Sequence, residues 1–181
     1  MNKSYQFLII MLAIITASTG QAQEILVPKG LTAHEESIIS NFQFRSLSAS
    51  EVPALPVRTS AEWEEVEYLV VGLPTVMTTV QLQVVQAVID ECKIIIATPN
   101  PQSVENYLIA NGVDMTDIIF IEEAVNSIWM RDDAAHAVCT NEVEDLALVD
   151  WIYNRPRPDD DVLPFAHAEY LGLPIYSINS G

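Results

Sequence analysis

From residue 65 onward the chain alternates short β-branched runs with segments of helical spacing. That alternation limits its fold more than any other feature. Residues 66–72, 93–97 and 118–121 are apolar runs of strand length. Between the first two, Val80, Leu82, Val84, Val85, Ala87 and Val88 recur at helical intervals within residues 75–92. Between the second and third, Ser103 is placed to cap a helix over residues 104–110, stopped by Asn111-Gly112. Two longer apolar runs follow, residues 128–139 and 146–153, with residues 141–145 able to turn between them as a hairpin. A helix over residues 164–171 and a strand over 174–178 complete the series. Strands alternating with helices make an α/β fold. The adjacent strand pair adds antiparallel neighbours, so the sheets are mixed rather than purely parallel. The chain has neither a GxGxxG nor a Walker pattern, which removes the common nucleotide-binding readings.

The start of the chain has a different texture. Residues 1–22 have the form of a secretory signal peptide: Lys3, an apolar stretch over residues 7–17 interrupted only by Thr16, then Gly20-Gln21-Ala22 as a cleavage site. The stretch is shorter than the roughly 20 residues a bilayer span requires. The expected location is therefore secreted or periplasmic, with no membrane attachment after cleavage. Residues 23–57 form an N-terminal extension broken by Pro28, Gly30, Pro53 and Pro56. One helix is expected there, over residues 32–42, with Thr32 as cap and Glu35 three positions on. A net charge of −17 speaks against nucleic acid as a partner. It suits a cationic ligand by long-range steering, although it also serves solubility alone. Cys92 and Cys139 match no zinc or redox spacing, and nothing in the sequence places them close together.

The residues richest in chemistry are Asn126-Ser127-Ile128-Trp129-Met130-Arg131-Asp132-Asp133. A carboxylate can hold a planar guanidinium through two parallel hydrogen bonds, and an indole can pack on the same cation. On a regular strand Trp129 and Asp132 would face opposite sides. A bend or bulge at Arg131 would bring them together; the alternative is a solvated turn. Arg131 itself is expected to be a structural partner for a carboxylate. Strand parity separates His136 from Cys139, so neither a Cys–His dyad nor a metal site is expected there. Downstream, Tyr153-Asn154-Arg155-Pro156-Arg157-Pro158-Asp159-Asp160-Asp161 is a proline-stiffened loop. Its two arginines could recognise a ligand carboxylate, or pair with the acids at 159–161.

In these segments the chain resembles the agmatine deiminase and bacterial peptidyl-arginine deiminase family, within the guanidino-group-modifying superfamily of five-bladed α/β propellers. Ala61-Glu62-Trp63-Glu64-Glu65 is similar to the family's AEWE segment, and Ser127-Ile128-Trp129-Met130-Arg131-Asp132 to its WxRD motif. The segment from Asp150 to Asp160 is similar to one in the exported peptidyl-arginine branch. The likeness runs over residues 58–181, which would form the N-terminal part of a pentein-like propeller, truncated. In such enzymes a cysteine thiolate attacks the guanidinium carbon, ammonia leaves, and water releases the ureido product from an amidino-thioether. No cofactor or metal is implied. By motif match Asp132 is one of two acids that grip the guanidinium. Trp129 would be a pocket wall, and Arg155 and Arg157 would contact a peptide carboxylate. None of His34, His136, His167, Cys92 or Cys139 lies in a matching motif, so the nucleophile is expected beyond this chain. Asn179-Ser180-Gly181 resembles the approach to a glycine-rich segment. Asp133-Ala134-Ala135, where many agmatine deiminases have glycine and proline, favours an arginine-containing peptide as substrate over agmatine. Homo-oligomerisation is left open.

Overall fold

A computed structural model describes residues 30–46, 52–61 and 63–178. The expected signal peptide, Glu62 and Asn179-Ser180-Gly181 lie outside the described residues. The chain divides after Gly30, and the second unit, Leu31–Gly181, holds the described elements. They run α1 (Ala33–Ile38), β1 (Val57–Thr59), β2 (Tyr68–Gly72), α2 (Thr79–Val88), β3 (Lys93–Ala97), α3 (Pro101–Ala110), β4 (Ile118–Ile121), α4 (Met130–Asp133), β5 (His136–Thr140), β6 (Asp145–Trp151), α5 (Leu163–Leu171) and β7 (Ile175–Ile178). Single 3-10 turns occupy Ile39–Asn41 and Asp160–Val162. Among the described residues no helix is long and apolar enough to cross a membrane.

Strands β2, β3 and β4 form a parallel sheet in that order. Central β3 reads Lys-Ile-Ile-Ile-Ala because both its faces are covered. Ile94 and Ile96 face one way, onto Leu82 and Val85 of α2 and Val104 and Leu108 of α3. Ala97 faces the other way and packs with Val125 and Leu163. A Thr78 capping box with Gln81 starts α2. The second sheet has the order β1-β5-β6-β7. Its β1–β5 and β5–β6 pairs are antiparallel, and β6–β7 is parallel. The structure is thus a mixed α/β fold with one parallel and one mixed sheet.

Several expectations are corrected. Helix α3 starts at Pro101, not after Ser103; proline's fixed φ suits the first helical position, where its missing N–H costs nothing. The run at 128–139 is not one strand. Residues Met130–Asp133 close a helical turn, and β5 begins only at His136. The turn is closed by the Asp132 and Asp133 amides donating to the Trp129 carbonyl, and by Ala134 N–H donating to Met130 O. Strand β1, three exposed residues, carries no apolar signal. The capping box of Thr32 and Glu35 is present, and the helical run it starts passes from α-helix to a 3-10 turn after Ile38, ending at Asn41.

The three parallel strands finish together, with Gly72 beside Ala97 and Ala97 beside Ile121. Ligand sites of open parallel sheets lie off this carboxyl end. The chain leaving β4 reaches α4 there. Gly72 approaches it so closely that an added Cβ would lie 2.9 Å from the Met130 sulfur and 3.2 Å from the Ser127 carbonyl oxygen.

Candidate functional site

The segment before α4 is fixed by carboxylates from the loop after β6. Asp160 Oδ1 accepts from the amides of Asn126 (2.7 Å) and Ser127 (3.1 Å). The Asn126 side chain donates to Asp159 Oδ2 at 2.6 Å and accepts from the Asp159 amide at 2.9 Å. Ser127 is fully buried, and its hydroxyl donates to Asp133 Oδ2 at 3.1 Å. The helical turn then sends the two neighbouring acids in different directions: Asp133 is buried and Asp132 is exposed.

Asp132 lines an open cavity of about 700 Å³ with Phe44, Arg131, Trp151, Ile152, Tyr153 and Asn154. Its backbone is held from β6, where the Trp151 indole N–H donates to Asp132 O at 3.2 Å. The ring of His136 lies against Trp151, with centroids 4.0 Å apart, and its Nε2 is 3.2 Å from Arg131 O. A carboxylate at the mouth of a cavity with aromatic walls can bind a flat cation.

Trp129 is elsewhere. It lines a separate, mainly apolar hollow of about 250 Å³ with Val70, Gly72, Val84 and Met130. Its indole nitrogen is buried and has no partner among the described residues. The two hollows share Arg131 alone, so Trp129 and Asp132 do not converge on one cavity.

Arg155 and Arg157 line a third hollow of about 190 Å³, which shares Phe44 and Tyr153 with the Asp132 cavity. Arg157 is turned inward. Its Nε and Nη2 donate to Glu35 at 2.5 and 3.3 Å, and Nη1 donates to the Tyr153 hydroxyl at 3.3 Å. For Arg157 neither alternative holds: it takes Glu35, from α1, rather than an acid of residues 159–161. Hydrogen bonding to Arg157 holds Glu35 at about 2, well below the ordinary carboxylate range. Asp161 instead accepts from Arg45 Nε at 2.9 Å, while Arg45 Nη2 bridges both oxygens of the buried Asp150.

Phe44, Trp151 and Tyr153 are cavity residues that sequence reasoning did not select. Trp151 and Tyr153 sit inside the segment singled out for its arginines. Phe44 lies in the N-terminal extension and carried no signal. Neither Cys92 nor Cys139, both free thiols, lines the Asp132 cavity. Among the described residues no three His, Cys, Asp or Glu side chains gather as a metal site.

No protein-family profile matches the chain. Several solved structures do. A variant of the C. jejuni agmatine deiminase, solved with substrate bound, superposes with a TM-score of 0.56 at 19% identity, over 68% of this chain and 40% of that one. The agmatine deiminase of Enterococcus faecalis gives 0.55 at 18% identity, over 72% of this chain and 41% of that one. A protein provisionally assigned as a peptidyl-arginine deiminase gives 0.53 at 16%, over 67% and 40%. The chain thus spans about two-fifths of the length of the structures it matches, and over that span it has the α/β fold of the agmatine deiminases.

Proposed function

We propose that this chain is part of an exported arginine deiminase, one that hydrolyses the guanidinium of a peptidyl-arginine to citrulline and ammonia. The observation that carries the reading is the position of Asp132, on a turn pinned from both sides, in the lining of an open cavity of about 700 Å³. Asp132 would accept two guanidinium N–H bonds and hold the carbon in line for attack. Trp151 and Phe44 would flank the cation. Arg155, in the adjoining hollow, would meet the carboxylate of a peptide. Trp129 would act from the separate apolar hollow that it lines with Met130, rather than on the substrate. Arg157 would position Tyr153 and the Arg155 loop instead of touching substrate.

In this reading the cysteine nucleophile is neither Cys92 nor Cys139, since both lie away from the cavity. This chain alone would bind without turning over, as part of a five-bladed propeller. Agmatine is the second substrate to consider, because the matched structures include an agmatine deiminase with substrate bound. A non-catalytic guanidinium-binding module is the remaining alternative.

Calorimetric titration of the purified chain with acetyl-glycyl-arginine and with agmatine tests the site. Peptide binding is expected, and Asp132→Asn should weaken it by about 10- to 100-fold, the worth of a charged hydrogen-bonding partner. Arg155→Ala should weaken the peptide and leave agmatine unchanged. Unaltered binding in Asp132→Asn, or citrulline release by the chain alone, would overturn the reading.

A further inference from the structure

Behind the Asp132 turn lies a second pair of acids that binding does not use. Asp133 and Asp160 are 3% and 0% exposed. Each has one oxygen satisfied around Ser127: Asp133 Oδ2 by the Ser127 hydroxyl, Asp160 Oδ1 by the amides of Asn126 and Ser127. Each also has one buried oxygen, Asp133 Oδ1 and Asp160 Oδ2, with no donor among the described residues. Among these residues no lysine or arginine forms an ion pair with either carboxyl. The two side chains interact directly, and burial opposes charge on both at once; a single proton between the two carboxyls removes the repulsion.

We propose that Asp133 is a positioning residue for Asp132, acting through one proton that its carboxyl shares with Asp160. The shared proton clamps the turn carrying Asp132 to the loop carrying Asp160. The proposal rests on Asp132 being the guanidinium ligand. The groups facing Asp133 are Asp160 from the 3-10 turn, Asp132 on its own turn, and Tyr153, whose hydroxyl meets Arg157. The remaining neighbours around Met130 are the apolar Ala97, Val125 and Leu163.

Burial pushes the Asp133 carboxyl up to about 8, the Asp160 charge adding to the effect and the Ser127 hydroxyl opposing it. Folded protein then holds a proton that the unfolded chain releases around pH 3.8. Stability from this group is complete below that point, declines as pH rises, and is gone above about pH 8. The buried His167 acts in the opposite sense only between about 4 and its ordinary 6.5, so the interval from 6.5 to 8 isolates Asp133.

Thermal melts of wild type and Asp133→Asn across that interval test the clamp. Asparagine copies the protonated carboxyl, with an oxygen for Ser127 and an N–H for Asp160. Wild type should lose about 5 °C relative to Asp133→Asn as the pH rises from 6.5 to 8. Infrared spectra of wild type at pH 7 should show the carbonyl stretch of a protonated carboxyl, absent in Asp133→Asn and lost from wild type at alkaline pH. Affinity for acetyl-glycyl-arginine should fall about tenfold from pH 7 to pH 9 in wild type and stay constant in Asp133→Asn. Parallel melts and affinities in the two proteins, or no protonated-carboxyl band at pH 7, would overturn the proposal. If neither protein binds the peptide while band and melt difference are present, the guanidinium role of Asp132 fails and the shared proton stands.

Discussion

Adjacent aspartates at 132 and 133 show how a local bend assigns opposite fates to identical side chains. On a strand they would differ by facing sides; on the observed helical turn one meets solvent at a cavity and the other is buried. The motif singled out Asp132, but which of the two acids is buried depended on a turn that the apolar run 128–139 concealed. His167 is a comparable single-residue decision. It is 3% exposed, its Nε2 has no partner among the described residues, and burial alone lowers it to about 4. The folded state keeps the ring neutral while the unfolded chain protonates near 6.5, so its contribution is full above 6.5 and drains away as pH falls toward 4. Replacing His167 by Leu should therefore flatten the acid side of the melting profile. Wild type and His167→Leu melts at pH 5 and pH 7 would check this, the variant gaining relative stability at the lower pH.

At the scale of elements, the strands that the sequence revealed are those whose apolar residues serve a buried face. β3 and β4 fall where the runs predicted because Ile94–Ile96 and residues 118–121 pack on both or one side of the parallel sheet. β1 escaped notice because its three residues are exposed and owe their strand to pairing with β5. Helix α2 is shorter than residues 75–92 because the Thr78 cap, with Gln81, fixes its start. Where β2 ends, Gly72 is an element boundary with a duty toward the site: it leaves room for Met130 and the Ser127 carbonyl. Gly72→Val should force the turn outward at a cost of about 1–3 kcal/mol, typical of overpacking. Chemical denaturation measures that cost, and peptide titration should show affinity lost beyond it, since the same shift displaces Asp132.

Across the whole molecule, contacts that join distant parts of the chain were the least legible in the sequence. The sequence offered the arginine loop two partners, a ligand carboxylate or its own aspartates. Instead the chain preceding the sheets supplies the partners: Glu35 for Arg157, and Arg45 for Asp150 and Asp161. These pairs span more than a hundred residues, and no periodicity encodes them. Removing one member of a buried pair strands the other, so Glu35→Gln should destabilise by about 3–5 kcal/mol. The loss should shrink in acid, because Glu35 contributes fully above 4.5 and its contribution disappears as pH approaches 2. Urea titrations at pH 3 and pH 7 would measure both effects.

Glu35 also accepts the Thr32 amide at 2.6 Å, through the oxygen that receives Arg157 Nη2. One side chain therefore both begins a helix and anchors a loop 122 positions away. An exchange of charges, Glu35→Arg combined with Arg157→Glu, would restore attraction between the two sites but leave the Thr32 amide without an acceptor. The doubly reversed protein should remain weaker than the original: the two positions are matched by hydrogen-bonding role as well as by sign.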